Sequence, residues 1–152
     1  RQRQMCIRDR PYTVVYGAII VHKDNNDIKS FEDLKGKKNA DSATSNWAQV
    51  AKKYGAQNVT VDSFAKSMEL LIARRVDTVV RDNTVFYDFL KQRPDAPIKI
   101  AAKLKDVDYS AAIVQKGNKE LADQISKALN ELKAEGKLKE ISLKYFGKDV
   151  SE

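Results

Sequence analysis

Asp41-Ser42-Ala43-Thr44-Ser45-Asn46-Trp47 is the stretch from which the fold can be read. It lies between a basic turn, Gly36-Lys37-Lys38, and a helical pattern that runs to Tyr54-Gly55. Lys38 to Asp41 is predicted as a short strand, although Asn39 is a poor strand former. Ser45 to Tyr54 is predicted as a helix. Trp47, Val50, Ala51 and Tyr54 share one face at three- and four-residue spacing, and Gly55 ends it. The junction between them holds three hydroxyls and two acid or amide side chains in six residues. That is more hydrogen-bonding capacity than one N-cap needs. The first N–H groups of a helix lack internal partners, and the helix dipole places partial positive charge there. Such a junction suits an anion, here a small carboxylate. An ordinary Ser/Thr cap with polar neighbours is the competing reading.

Outward from this junction the pattern repeats. On the N-terminal side, Pro11 to Val21 reads as a strand, interrupted at Gly17, which suggests a bend or a close backbone approach. Ser30-Phe31-Glu32-Asp33 matches a capping box and opens a short helix ended by Gly36. On the C-terminal side, Val59 to Val61 is a strand. Ser63 caps a helix with Phe64, Met68, Leu71 and Ile72 inward. Asp77 to Val80 is a strand that runs into Arg81-Asp82-Asn83. The next helix turns Val85, Phe86, Phe89 and Leu90 inward, and Ile98 to Ile100 is a further strand. Asp108 to Val114 is another apolar strand. A long helix follows with Leu121, Ile125, Leu129 and Leu132 inward, broken at Gly136, and a last helix carries Leu138, Ile141 and Tyr145. The middle therefore alternates strand and helix, which argues for an α/β fold with a mostly parallel sheet flanked by helices. Ligands in such sheets bind beyond the carboxyl ends of the strands. Thr44-Ser45-Asn46 and Asp82-Asn83 both occupy that position.

Composition narrows the function classes. The chain has 152 residues, 42% of them apolar, enough for one domain with a core. No apolar run approaches the roughly 18 residues of a membrane span. The net charge is +7, but the lysines are interspersed with acids, as in Lys137-Leu-Lys-Glu140. This reads as a solvated helix face and argues against a nucleic-acid partner. Cys6 is the sole cysteine, so no disulfide or cysteine metal site forms within the chain. His22 is the sole histidine, at a strand end, and is expected to be solvated with no metal or acid–base role. Residues 1–10 lack periodicity and an apolar signal-peptide core, and they read as a non-native-looking, disordered leader.

Five ordered pieces resemble the polar-amino-acid family of solute-binding proteins, the receptors of ABC importers. They are the strand Pro11 to Val21; Ser30-Phe-Glu-Asp-Leu-Lys-Gly-Lys-Lys38, similar to the family's “DLKGK” turn; Ser42 to Trp47, where many members carry Gly-Thr-Thr; Asp77-Thr-Val-Val-Arg-Asp82, similar to its “D-x-x-x-x-D” segment; and Leu132 to Leu138 with Lys144-Tyr-Phe-Gly147, similar to its C-terminal helices. The Thr-Ser-Asn version of the first site, Asp82-Asn83 and Pro94-Asp-Ala-Pro97 are most similar to cystine-binding members.

The resemblance implies a periplasmic-binding-protein-like lobe over 11–112 and a C-terminal helical segment, 113–152, that packs on a first lobe missing from this chain. It implies a ligand-binding set of Thr44, Ser45, Asp82, Asn46 and Ser42. Thr44 and Ser45 would receive the α-carboxylate of an amino acid, and Asp82 its α-ammonium. Asp82 as a plain N-cap of the following helix is the alternative. The first lobe would normally add an arginine for the carboxylate, and no residue of this chain is expected in that role. Ala43 and Asn39 depart from the family's glycine and β-branched residue. The implied protein is a monomeric extracytoplasmic receptor, periplasmic or lipid-anchored. It would close on a polar amino acid, cystine among the candidates, about strands near Val15–Ala18 and Ser110–Ile113, and meet a membrane permease. No cofactor or catalysis is implied. A dehydratase on the same scaffold, similar to cyclohexadienyl dehydratases, is the alternative, with Asp82 as its acid. A sensor module is a third reading, disfavoured because no coiled coil follows Tyr145-Phe-Gly147.

Overall fold

The computed structural model describes residues 11–115 and 117–151. The expected leader at 1–10 and Lys116 lie outside the described residues. Pro11–His22 forms β1. The predicted alternation then appears as β2 (Lys38–Asp41), α1 (Asn46–Lys53), β3 (Gln57–Thr60), α2 (Phe64–Ile72), β4 (Val79–Asp82) and α3 (Asn83–Gln92). Ser45 and Ser63 cap α1 and α2 through their hydroxyls, as expected of serines just before amphipathic runs. After β5 (Ile98–Ala111) come α4 (Lys119–Ala134) and α5 (Lys137–Phe146).

Strands β2 and β3 pair in parallel, with Asn39 opposite Asn58 and Asp41 opposite Thr60. A parallel bridge from Asn39 to Thr78 brings β2 beside the segment entering β4. The parallel pairing implied by the alternation is thus seen across β3, β2 and the start of β4. On its other side β4 meets β1, which is antiparallel to it, in a three-stranded sheet ordered β4-β1-β5. The register sets Gly17 against Asp82, Ala18 against Arg81 and Ile19 against Val80.

Alternation along β1 divides the core. Ile20 and Val79 face Met68, Leu71 and Phe86 on one side. Ile19, Val21 and Val80 face Leu34, Phe31 and Ala51 on the other. The whole run Ala18 to Val21 is fully buried, as a strand covered on both faces must be.

Asn39, fully buried, joins β2 to β4. Its Oδ1 accepts from the Val80 N–H at 2.9 Å, and its Nδ2 donates to Asn58 Oδ1 at 3.0 Å. Beside it, Thr78 Oγ donates to the Ile20 carbonyl at 3.1 Å, tying β4 to β1. A β-branched residue at position 39 would fill the space but offer nothing to the Val80 N–H. The carboxamide is therefore the reason a poor strand former sits here.

Three elements differ from the sequence reading. The expected helix after Ser30 is a single 3-10 turn, Glu32–Leu34. The capping box is one-sided: Asp33 Oδ2 accepts from the Lys29 and Ser30 N–H groups and the Ser30 hydroxyl. Those bonds, the Lys29 N–H foremost, hold the Asp33 carboxyl below the usual carboxylate range. The two strands expected at 98–100 and 108–114 are one long β5. In the stretch between them Lys103 and Lys105 are exposed while Ala102 and Leu104 are half-buried, the alternation of a one-sided strand. In α4 and α5 the expected inward stripe is largely outward: Leu121, Leu132, Ile141 and Tyr145 are exposed, and Ala122 and Ser142 are the buried positions.

The chain clusters into two compact units, with the boundary crossing β1 after Val15 and β5 after Asp106. Residues 16–106 make the sheet unit. In the other, the Val14 N–H donates to the Val150 carbonyl at 2.7 Å, and Ser142 Oγ accepts from the Val150 N–H at 3.0 Å. Left-handed Gly136 separates α4 from α5.

Asn39→Ala strands the buried Val80 N–H without an acceptor. The expected loss is about 1–3 kcal/mol of unfolding free energy, read from urea denaturation. An unchanged midpoint would show that the joint does not depend on this side chain.

Candidate ligand-binding site

The site lies where β2 and β4 end. Strand β2 finishes at Asp41, and the chain turns back through a Ser45 N–H to Ser42 carbonyl bond at 3.2 Å. Ser45 is the N-cap of α1 with an extended backbone, and its Oγ accepts from the Trp47 N–H at 3.2 Å. The capping function read from the sequence is therefore present. A second bond goes beyond it: Arg81 Nη1 donates to the same Oγ at 3.2 Å. Thr44 and Asn46 are exposed beside the cap, and Ser42 is half-buried with its N–H on Asp41 Oδ1 at 2.8 Å.

Strand β4 ends at Asp82, which is by position the N-cap of α3. Its carboxylate makes no capping hydrogen bond and it is half-buried. The plain-cap alternative therefore has no bond to support it. The neighbouring Asn83 is buried, and its Oδ1 accepts from the Tyr16 N–H at 3.1 Å, fixing the start of α3 to β1. Tyr16 and Tyr87 hydroxyls meet at 3.0 Å beside it.

Arg81 brings the two strand ends together. Its Nη1 donates to Asp41 Oδ1 at 2.9 Å as well as to Ser45 Oγ, and its guanidinium lies 6.0 Å from the Phe64 ring centroid. Asp41 is nearly buried, at 6% side-chain exposure, against 28% for Arg81. The residue before Asp82 on β4 is thus hydrogen-bonded to Ser45, the expected carboxylate pole. Sequence reading missed Arg81 and Asp41. Their signal was there in principle: a charged residue at the end of each of two strands already expected to lie side by side.

Trp47 packs against β1 at Gly17. A Cβ built on Gly17 would lie 2.3 Å from Trp47 Cζ3 and 2.8 Å from Leu104 Cδ1. The close approach suggested by Gly17 is therefore to the indole ring, on the strand position paired with Asp82. Among the described residues no group of three or more His, Cys, Asp or Glu side chains could hold a metal ion.

Residues 1–148 match the family described as bacterial extracellular solute-binding proteins, family 3. The chain belongs to this family. It is 39% identical over 142 residues to a probable amino-acid ABC transporter-binding protein of Haemophilus influenzae, covering 93% of this chain and 55% of that protein. It is 38% identical over 141 residues to the L-cystine-binding protein TcyA of Bacillus subtilis, covering 93% and 53%. The chain thus spans about half the length of these family relatives. Among solved structures it is similar to the L-cystine solute receptor of Neisseria gonorrhoeae in its unliganded open conformation. The TM-score is 0.86 at 41% identity, over 96% of this chain and 62% of that one. The fold is accordingly the α/β lobe of a periplasmic-binding-protein-like family member.

Gly17→Ala pushes a methyl into a rigid indole. The expected cost is about 1–3 kcal/mol of stability, together with a shift in the emission of Trp47. Trp47 is the sole tryptophan, so its fluorescence reports this contact directly. An unchanged spectrum and unfolding midpoint would place the ring elsewhere.

Proposed function

We propose that this chain is the ligand-binding lobe of an extracytoplasmic receptor subunit of an ABC importer, and that its ligand is a polar amino acid, with L-cystine the first candidate. The observation that carries this reading is the pairing of a capped helix start at Ser45 with the Asp82 carboxylate, which no cap bond engages, at adjoining strand ends. A zwitterion matches that pair. Its carboxylate gains about 0.3–1 kcal/mol from the α1 N-terminus, and up to about 2 when partly buried. Its ammonium gains about 1.5–3 kcal/mol from a hydrogen bond to Asp82. Thr44, Asn46 and Ser42 supply further donors at the carboxylate end.

The relatives that are named for cystine and amino-acid binding favour this ligand class. A lobe of this kind closes on its ligand against a second lobe, by hinge motion in the strands that connect them. In this reading the exposed apolar stripe of α4 and α5 is the surface that such a lobe would cover. The closed receptor would be a periplasmic or lipid-anchored monomer that delivers its ligand to a membrane permease. Binding, and not catalysis, is the role: Asp82 holds a charge and transfers no proton.

Asp82→Ala in the complete protein containing this sequence is expected to weaken L-cystine binding by about 10- to 150-fold in calorimetry. Stability should stay within about 0.5 kcal/mol, because no cap bond is removed. Full affinity in the variant would remove Asp82 from the site.

A further inference from the structure

The Ser45 hydroxyl has a fixed hydrogen-bonding capacity: two acceptor lone pairs and one donor proton. Both lone pairs are taken, one by the Trp47 N–H and one by Arg81 Nη1, each at 3.2 Å. What remains is the O–H as a donor. Resting on the ligand site proposed above, we infer that Arg81 is a positioning residue of that site: by filling the second lone pair of Ser45 it leaves the hydroxyl able only to donate, which selects a carboxylate oxygen as its partner. An amide N–H or ammonium offered at the same place finds no acceptor on Ser45.

A second observation supports the assignment. Arg81 and Asp41 form an ion pair through one arm each, Nη1 to Oδ1. The other arms, Arg81 Nε and Asp41 Oδ2, are buried without hydrogen-bond partners. A fork-to-fork arrangement would engage both arms and is the stronger geometry for arginine and carboxylate. The single Nη1–Oδ1 contact instead leaves Arg81 Nε and Asp41 Oδ2 buried and unsatisfied, which is costly. Here the guanidinium is held so that Nη1 is shared between Asp41 and Ser45, with Phe64 near the guanidinium carbon at 6.0 Å. Asp41 also balances the arginine charge. It holds the Ser42 N–H at the head of the same turn, so one carboxylate anchors both the turn and the cation. The arginine therefore acts on the ligand through Ser45 and need not touch it.

A double-mutant cycle in the complete protein tests this, with L-cystine as the calorimetric probe and L-cystine dimethyl ester as the comparison. Arg81→Met alone would strand the Asp41 charge, so the paired swap Arg81→Met/Asp41→Asn removes both charges together. The expected result is a loss of about tenfold or more for L-cystine and a smaller loss for the ester. The swap should cost nothing further in a Ser45→Ala background, and Arg81→Lys, whose ammonium can donate to both Asp41 and Ser45, should recover most of the affinity. Equal losses with and without Ser45, or no loss at all, would overturn the inference, as would a lysine variant as weak as the paired swap. If Ser45→Ala itself leaves L-cystine binding intact, the ligand site falls, and the role of Arg81 with it.

Discussion

The hydrogen bond from the buried Val80 N–H to the Asn39 carboxamide governs where everything else can sit. Strand β2 is bridged to the residue just before β4, at Asn39 and Thr78. The carboxamide extends that joint by one residue along β4 and at the same time reaches Asn58 on β3. Because a buried N–H must find an acceptor, β2 is locked in register with β4. That register places Asp41, two residues past Asn39, opposite Val80 and within reach of the Arg81 guanidinium. The capped start of α1 then lies beside the end of β4. A slip of one residue would turn the side chains of β2 to the opposite face and break the Asp41–Arg81 contact.

The proposed function rests on that placement more than on any single residue. Parallel strands bring their carboxyl ends to one edge, and the helices that follow bring their N-termini there. Ser45 and Asp82 both stand at such starts, but their roles diverge. Ser45 is bonded into its helix and to Arg81, whereas the Asp82 carboxylate makes no bond to its own helix. One end of the proposed site is thus bonded into its helix and rich in donors, and the other is an acceptor free of capping duty. Glycine at position 17 lets the Trp47 ring lie against the strand position paired with Asp82.

Local pattern revealed most of the elements of the sheet unit. Serines before amphipathic runs marked α1 and α2, and the alternating apolar face marked α3. What it could not reveal were effects that depend on partners distant in sequence. Asn39 looked like a weak strand residue because its bond is to Val80, 41 positions away. Arg81 was passed over because its partners, Asp41 and Ser45, are about as far off, at 40 and 36 positions. The two expected strands at 98–100 and 108–114 are one β5, because a one-sided strand alternates too weakly over a few residues to show its continuity. The stripe on α4 and α5 was legible as a stripe, but periodicity marks an apolar face without saying what covers it.

The central claim is that Ser45 and Asp82 form the two poles of a site for an amino-acid zwitterion. A crystal structure of the complete protein grown with L-cystine tests it most directly. The expected result is a ligand carboxylate oxygen within hydrogen-bonding distance of Ser45 Oγ and the α1 N-terminus, and the ammonium of the same α-carbon on the Asp82 carboxylate. A bound ligand with its carboxylate held elsewhere, or with Asp82 facing away from the ammonium, would contradict it.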